Sequence, residues 1–200
     1  MLQLNQFFIK EHVGVFKLAN TYDIVDPATG KKVGLAREKP GGWVIFLRLL
    51  ISAQLLPTKV EILESSSDQE EEKIVVTIKR GFTLLRAKVH VLIDGDRQIG
   101  YFKSKLFSIG GGFWMYDTND VKIAEVKGDW KGWNFKFLDL TGKEIGTVTK
   151  KWAGLGKEMF TSADNYMIAL TDPTKQDPGA KALLLAAGIA IDTIFKEKGG

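Results

Sequence analysis

The stretch FKFLDLTGKEIGTVTKK, Phe135 to Lys151, decides the fold. Apolar residues alternate through its first four positions. An aspartate and a glycine-containing turn follow, then an apolar–Gly pair and a second alternating run. Period-two alternation places successive side chains on opposite faces of a strand. The stretch therefore reads as a β-hairpin. The pattern recurs as YDIVDPATGKKVGLARE from Tyr22, VHVLIDGDRQIGYFKSK from Val89 and FWMYDTNDVKIAEVKG from Phe113. Asp26, Asp94, Asp117 and Asp139 occupy the turns, and the last three are 23 and 22 residues apart. That period fits one hairpin plus its connection.

Each copy has consistent turn chemistry. An Asp at a strand end can accept hydrogen bonds from backbone N–H groups two residues on. Gly30 and Gly142 can supply the positive φ of a tight turn. Gly34, Gly100 and Gly146 fall inside the returning strands, where glycine marks a bulge or a close backbone approach. Further strands are expected at Thr58–Leu63, Lys73–Lys79 and Tyr166–Leu170, ten to twelve in all. A meander of that length leaves exposed edges unless it closes, and a closed barrel removes them.

A barrel this wide needs a filling beyond its own side chains. KALLLAAGIAIDTIF, Lys181 to Phe195, is apolar nearly all round and follows the helix-starting Pro178–Gly179 pair. A helix apolar on every face belongs in a core or a membrane. Its 15 residues would span about 22 Å.

Composition sets outer limits. The chain has 200 residues, with 28 Lys+Arg against 24 Asp+Glu and 44% hydrophobic content. It is read as one domain over residues 1–200, with its helix at about 180–196, and is long enough to bury a real core. It has no cysteine and only His12 and His90 as histidines. Disulfides, thiolate metal sites and cysteine nucleophiles are excluded, as is a histidine-rich metal centre. The first ten residues, MLQLNQFFIK, lack the features of a signal peptide. The expected compartment is cytoplasmic, at most peripheral at the inner membrane surface.

Two runs are apolar enough to raise the question of a membrane span. WVIFLRLLISAQLL, Trp43 to Leu56, is interrupted by Arg48, and ALLLAAGIAIDTIF, Ala182 to Phe195, by Asp192. Each falls short of the ~18–20 residues of a span, and both are expected to be interior helices.

Charge is distributed unevenly. Glu61 to Glu72 holds six acids and no base. Its SSSDQEEEK segment reads as a solvated hairpin loop. Lys127 to Lys157 holds seven lysines against Asp129, Asp139 and Glu144, a local +4. Within it, GDWKGWNF and KKWAGLGKEMF interleave bases with aromatic and apolar residues. Such a tract can contact lipid phosphates, sit at a headgroup interface or stack nucleobases.

The ending NYMIALTD…AKALLLAAGIAIDTIF, Asn165 to Phe195, resembles the phospholipid scramblase and LURP-one-related proteins of the tubby C-terminal-like superfamily. The Asp-turn hairpins resemble them too, from Phe7 to about Glu197. The resemblance implies a closed antiparallel β-barrel of about twelve strands around a central buried C-terminal helix. It also implies a non-enzymatic protein that binds phospholipid headgroups or an anionic membrane surface. The cysteine cluster of the animal proteins is absent. In scramblases an acidic stretch before the last helix has been proposed as a calcium site. Here TDPTKQDPGAK offers Asp172 and Asp177 alone, poor for an ion that takes six to eight oxygens.

The candidate lipid- or anion-binding residues are Lys127, Lys131, Lys136, Lys150, Lys151, Trp152 and Lys157. Anionic phospholipid or phosphoinositide is the expected partner, and no metal or cofactor is expected. A protein- or nucleic-acid-binding scaffold without lipid translocation is the alternative. An enzyme is disfavoured, because neither histidine has a nucleophile at motif spacing and SIGGGFWM, Ser108 to Met115, is not a phosphate-binding loop. A monomer is expected.

Overall fold

The computed structural model describes residues 1–12, 19–47, 50–51, 55–65, 72–82, 88–105, 112–129, 133–150, 165–171 and 177–192. The first strands are β1 (Gln6–Glu11), β2 (Thr21–Val25), β3 (Lys32–Glu38) and β4 (Thr58–Glu64), with a short helix α1 (Gly42–Leu47) between β3 and β4. Next come β5 (Lys73–Arg80), β6 (Lys88–Ile93), β7 (Arg97–Ser104) and β8 (Gly112–Tyr116). The series ends with β9 (Lys122–Asp129), β10 (Asn134–Asp139), β11 (Glu144–Thr149), β12 (Tyr166–Leu170) and the helix α2 (Pro178–Ala190). Every strand pairs antiparallel with its sequence neighbour, and β1 pairs with β12 through Phe7 and Ile168 to close the barrel.

The hairpin pattern works as its residues imply. The Asp26, Asp117 and Asp139 carboxylates each accept the backbone N–H two residues on, at 2.8–2.9 Å. Gly142 has φ +85°. The register shifts near Gly34, Gly100 and Gly146. At Gly100 an added Cβ would lie 2.5 Å from the Tyr116 carbonyl oxygen, so the strands approach there because no side chain intervenes.

Alternate strand residues point inward. Phe7, Ile24, Val60, Ile78, Phe102, Phe113, Phe137 and Ile168 form one core with α2, whose Leu183 to Ile191 are buried throughout. Asp177 caps the helix, its Oδ1 accepting the Ala180 N–H at 2.7 Å. The helix contacts β5, β7 and β12. Gly188 lets it pass Ile168, whose Cδ1 would be 2.4 Å from an added Cβ. Thirteen helical residues span about 20 Å. The helix runs on through Ile191 and Asp192 as a π turn.

A meander has two ends. The β2–β3, β4–β5, β6–β7, β8–β9 and β10–β11 turns lie at one end, where α2 also enters. The remaining connections, including the one carrying α1, lie at the other, hereafter the open end. There Asp192 is buried beside Tyr22 and Tyr166.

One expectation fails. Trp43–Leu56 is not an interior helix. Among its described residues only Val44 of α1 and Leu56 beyond it are buried, whereas Phe46 is 65% and Leu50 72% exposed. The barrel is already filled by α2, so α1 is left on the outside.

Candidate functional site

The outward positions of β6 to β10 form a lattice of lysines and aromatics. Strand register aligns His90, Tyr101 and Tyr116 in one row. A second row runs Lys88, Lys103, Trp114, Glu125 and Leu138. A third sets Lys127 directly against Lys136. Period-two alternation brings these residues out because their neighbours Val89, Phe102, Phe113 and Val126 face the core.

The aromatic rings hold the cations in place. Lys105 and Lys122 place their ammonium groups 4.0 and 4.1 Å from the centre of the Trp114 ring. Lys88 sits 3.9 Å over Tyr101, which stacks on Tyr116 at 4.8 Å. Each cation–π contact at such a site is worth about 0.5–1 kcal/mol. Burial, together with a hydrogen bond to Asp120, pushes the Tyr101 hydroxyl up to about 12. It therefore stays protonated at neutral pH.

A shallow cavity of about 250 Å³ opens beside this lattice. Trp114, Lys122, Glu125, Lys127, Leu138 and the 139–142 turn line it. It is smaller than the roughly 300–1,000 Å³ pockets of drug-sized ligands. Glu125 pairs with Lys105, lies 3.5 Å from Lys127 and spaces the two cations. Three lysines around one glutamate leave a local charge of +2, which attracts an anion.

The candidates named from sequence are distributed as follows. Lys127 and Lys136 lie on this face, Lys136 in an ion pair with Glu144 at 2.9 Å. Lys150 lies elsewhere, at the open end, 4.6 Å over the Trp133 ring. Lys131, Lys151, Trp152, Lys157 and Asp172 lie outside the described residues. Asp177 is the α2 N-cap, and no group of three or more His, Asp or Glu suited to a metal occurs among the described residues. His90 Nδ1–H donates to Gln98 Oε1 at 2.8 Å, as a strand histidine would. Sequence reasoning missed Trp114, Lys105, Lys122, Lys88 and Tyr101. The signal was present in the outward alternation of FWMY and YFKSK.

A second cavity, about 410 Å³, opens at the turn end around Ile74, Ile93, Ile99 and Ala182. Its Arg97 is paired with Asp94 at 2.6 Å.

Apolar side chains face the core and lysines face outward on the β6–β10 wall. Membrane-spanning barrels have the reverse arrangement, with an apolar outer band and a polar interior. No helix among the described residues is long and apolar enough to cross a membrane.

The fold is thus an apolar helix inside a closed twelve-stranded barrel, with lysines on its β6–β10 wall. The scramblase family model matches residues 5–198, and the chain belongs to that family. It is similar to mouse phospholipid scramblase 1, 39% identical over 56 residues, which are 28% of this chain and 16% of the mouse protein. It is also similar to bovine phospholipid scramblase 2, 42% identical over 53 residues, or 26% of this chain and 17% of the bovine protein. The matched segments span about a sixth of these relatives' length. No solved structure matches the chain.

Proposed function

We propose that this chain is a non-enzymatic member of the scramblase family that binds phospholipid headgroups at an anionic membrane surface. The observation that carries the reading is the Trp114 ring with Lys105 and Lys122 held against it. Two ammonium groups fixed beside the cavity that Lys127 also lines lose little entropy on meeting a phosphate. The named relatives are phospholipid scramblases, so the ligand class suits the family. Peripheral attachment by charge, rather than a spanning segment, is the mode this reading requires.

The test is vesicle pelleting with phosphatidylcholine alone and with phosphatidylserine added, at 0.1 M and 1 M salt, between which the Debye length falls from about 10 to 3 Å. Binding to anionic vesicles that decays with salt and is lost in Lys105→Glu/Lys122→Glu supports the reading. Salt-insensitive binding through this face, or equal binding to both vesicles, contradicts it. Tight binding to single-stranded nucleic acid with none to vesicles would replace it by the scaffold reading.

A further inference from the structure

The two ends of the barrel carry opposite charge. Among the described residues, the connections at the turn end, counting the one into α2, contain seven acids and two bases, a net −5. Those at the open end contain three bases, Lys39, Lys105 and Lys150, and no acid, a net +3, with His12 counted neutral. The overall charge of +4 conceals this polarity.

The exposed apolar residues follow the same division. Of the nine large hydrophobics exposed among the described residues, six are Trp43, Phe46, Leu50, Ile51, Leu55 and Phe82. All six belong to two open-end connections that leave adjacent strand pairs, β3–β4 and β5–β6. Trp43 and Phe82 join the two, with ring centroids 5.5 Å apart. Trp43 and Phe46 are i and i+3 on α1, so they share a face, while Val44 anchors the helix to the barrel.

We infer that the open end is a membrane-docking rim. In this arrangement α1 and Phe82 enter the headgroup–acyl boundary of an anionic bilayer while the surrounding cations contact its phosphates. Tryptophan and phenylalanine favour that boundary. Charge complementarity selects the bilayer over an uncharged apolar partner. A net +3 rim is drawn to an anionic surface and the −5 end is repelled, so the long-range field orients the barrel before contact. Trp43, Phe46 and Phe82 lie apart from the Trp114 lattice, with which the rim shares only Lys105, so insertion at α1 is read independently of headgroup binding there.

The experiment uses the full chain. It has no native cysteine, so Phe46→Cys can carry an environment-sensitive fluorophore alone, and Ala28→Cys, exposed in the β2–β3 turn at the turn end, serves as the control. Vesicles are phosphatidylcholine with and without phosphatidylserine, some containing lipids spin-labelled along the acyl chain. The expected result is a blue shift and acyl-chain quenching at position 46 with anionic vesicles, and neither at position 28. Trp43→Ser/Phe46→Ser should weaken binding roughly tenfold or more, since two large apolar side chains lose their burial, and the loss should persist at 1 M salt. Both residues are exposed, so a thermal melt should show the variant folded.

Protein that pellets while the label at 46 stays in water overturns the rim and leaves the lattice reading standing. Insertion at 46 that ignores Lys122→Glu/Lys127→Glu, both in β9 and outside the open-end connections, upholds the rim and removes the lattice. A blue shift at 46 without vesicles, growing with protein concentration, assigns the patch to a second copy of the chain and overturns the proposal. No pelleting with any vesicle overturns both.

Discussion

Tyr22 on β2 hydrogen-bonds Asp192 at the end of α2, inside the barrel. Burial, reinforced by the nearby Asp192 charge, pushes the Tyr22 hydroxyl far above its usual range, so it remains a donor. The bond ties the last turn of the core helix to the wall. Tyr22→Phe should cost about 1.5–3 kcal/mol, the worth of a hydrogen bond to a charged group. Asp192→Leu should lower stability in urea titrations more than it lowers vesicle binding. Conversion into a detergent-requiring protein would show that the helix is weakly committed to the barrel.

Glu61 gives stability an acid limit. Its side chain is 3% exposed and meets Lys39 at 2.7 Å, Lys59 at 2.8 Å and Arg37 at 3.6 Å. Burial opposes the charged form, but hydrogen bonds from Lys39 and Lys59 prevail and hold the carboxyl below its usual 4.5. The unfolded chain then takes up the proton first as pH falls. The Glu61 contribution is complete above the unfolded value and is lost through the lower folded one. Glu61→Gln should be less stable by about 1–3 kcal/mol at pH 7. The gap should close as pH drops below 4.5, measured by urea denaturation at pH 7 and 3. A gap that stays constant with pH would mean that charge is not the cause.

Gly100→Ala should destabilise by about 1–3 kcal/mol. Its Cβ would meet the Tyr116 carbonyl, part of a backbone that cannot rotate away, and also the Leu183 methyls. A thermal melt reads the loss directly. Gly81→Ala is the contrast, because nothing lies within 4 Å of its added Cβ.

Lys127 separates binding from stability. It stands opposite Lys136, and directly opposed like charges in a sheet cost roughly 0.2–1 kcal/mol. Lys127→Gln should leave the Tm unchanged or slightly raised. Vesicle binding should fall about fivefold, as expected for one cation worth about 1 kcal/mol near an anionic surface. A lowered Tm with intact binding would reverse both assignments.

The local features were readable from the chain. Asp139 and Gly142 define their turn within four residues, and Leu183 to Ile191 state their own burial by lacking any polar face. The Trp114 lattice was harder, because Lys105 and Lys122 reach one ring from two different strands' ends and register decides which lysine meets it. Trp43 and Phe46 misled for another reason. Hydrophobicity alone does not distinguish a run that fills a core from one left over after the core is full. The charge polarity of the ends needed only the meander, since alternate connections fall at alternate ends, but a sum over the whole chain erases it.

The closing pair, Phe7 with Ile168, has a kinetic consequence. The first strand cannot find its last neighbour, nor the wall its filling, until the chain has grown through α2. Loop closure over that separation is slow. Until then Phe7, Ile9 and the inward face of every hairpin lack their final cover. The nascent protein is thus an open, aggregation-prone sheet for most of its synthesis. Its folding yield should depend on chaperone supply more than its finished stability would suggest.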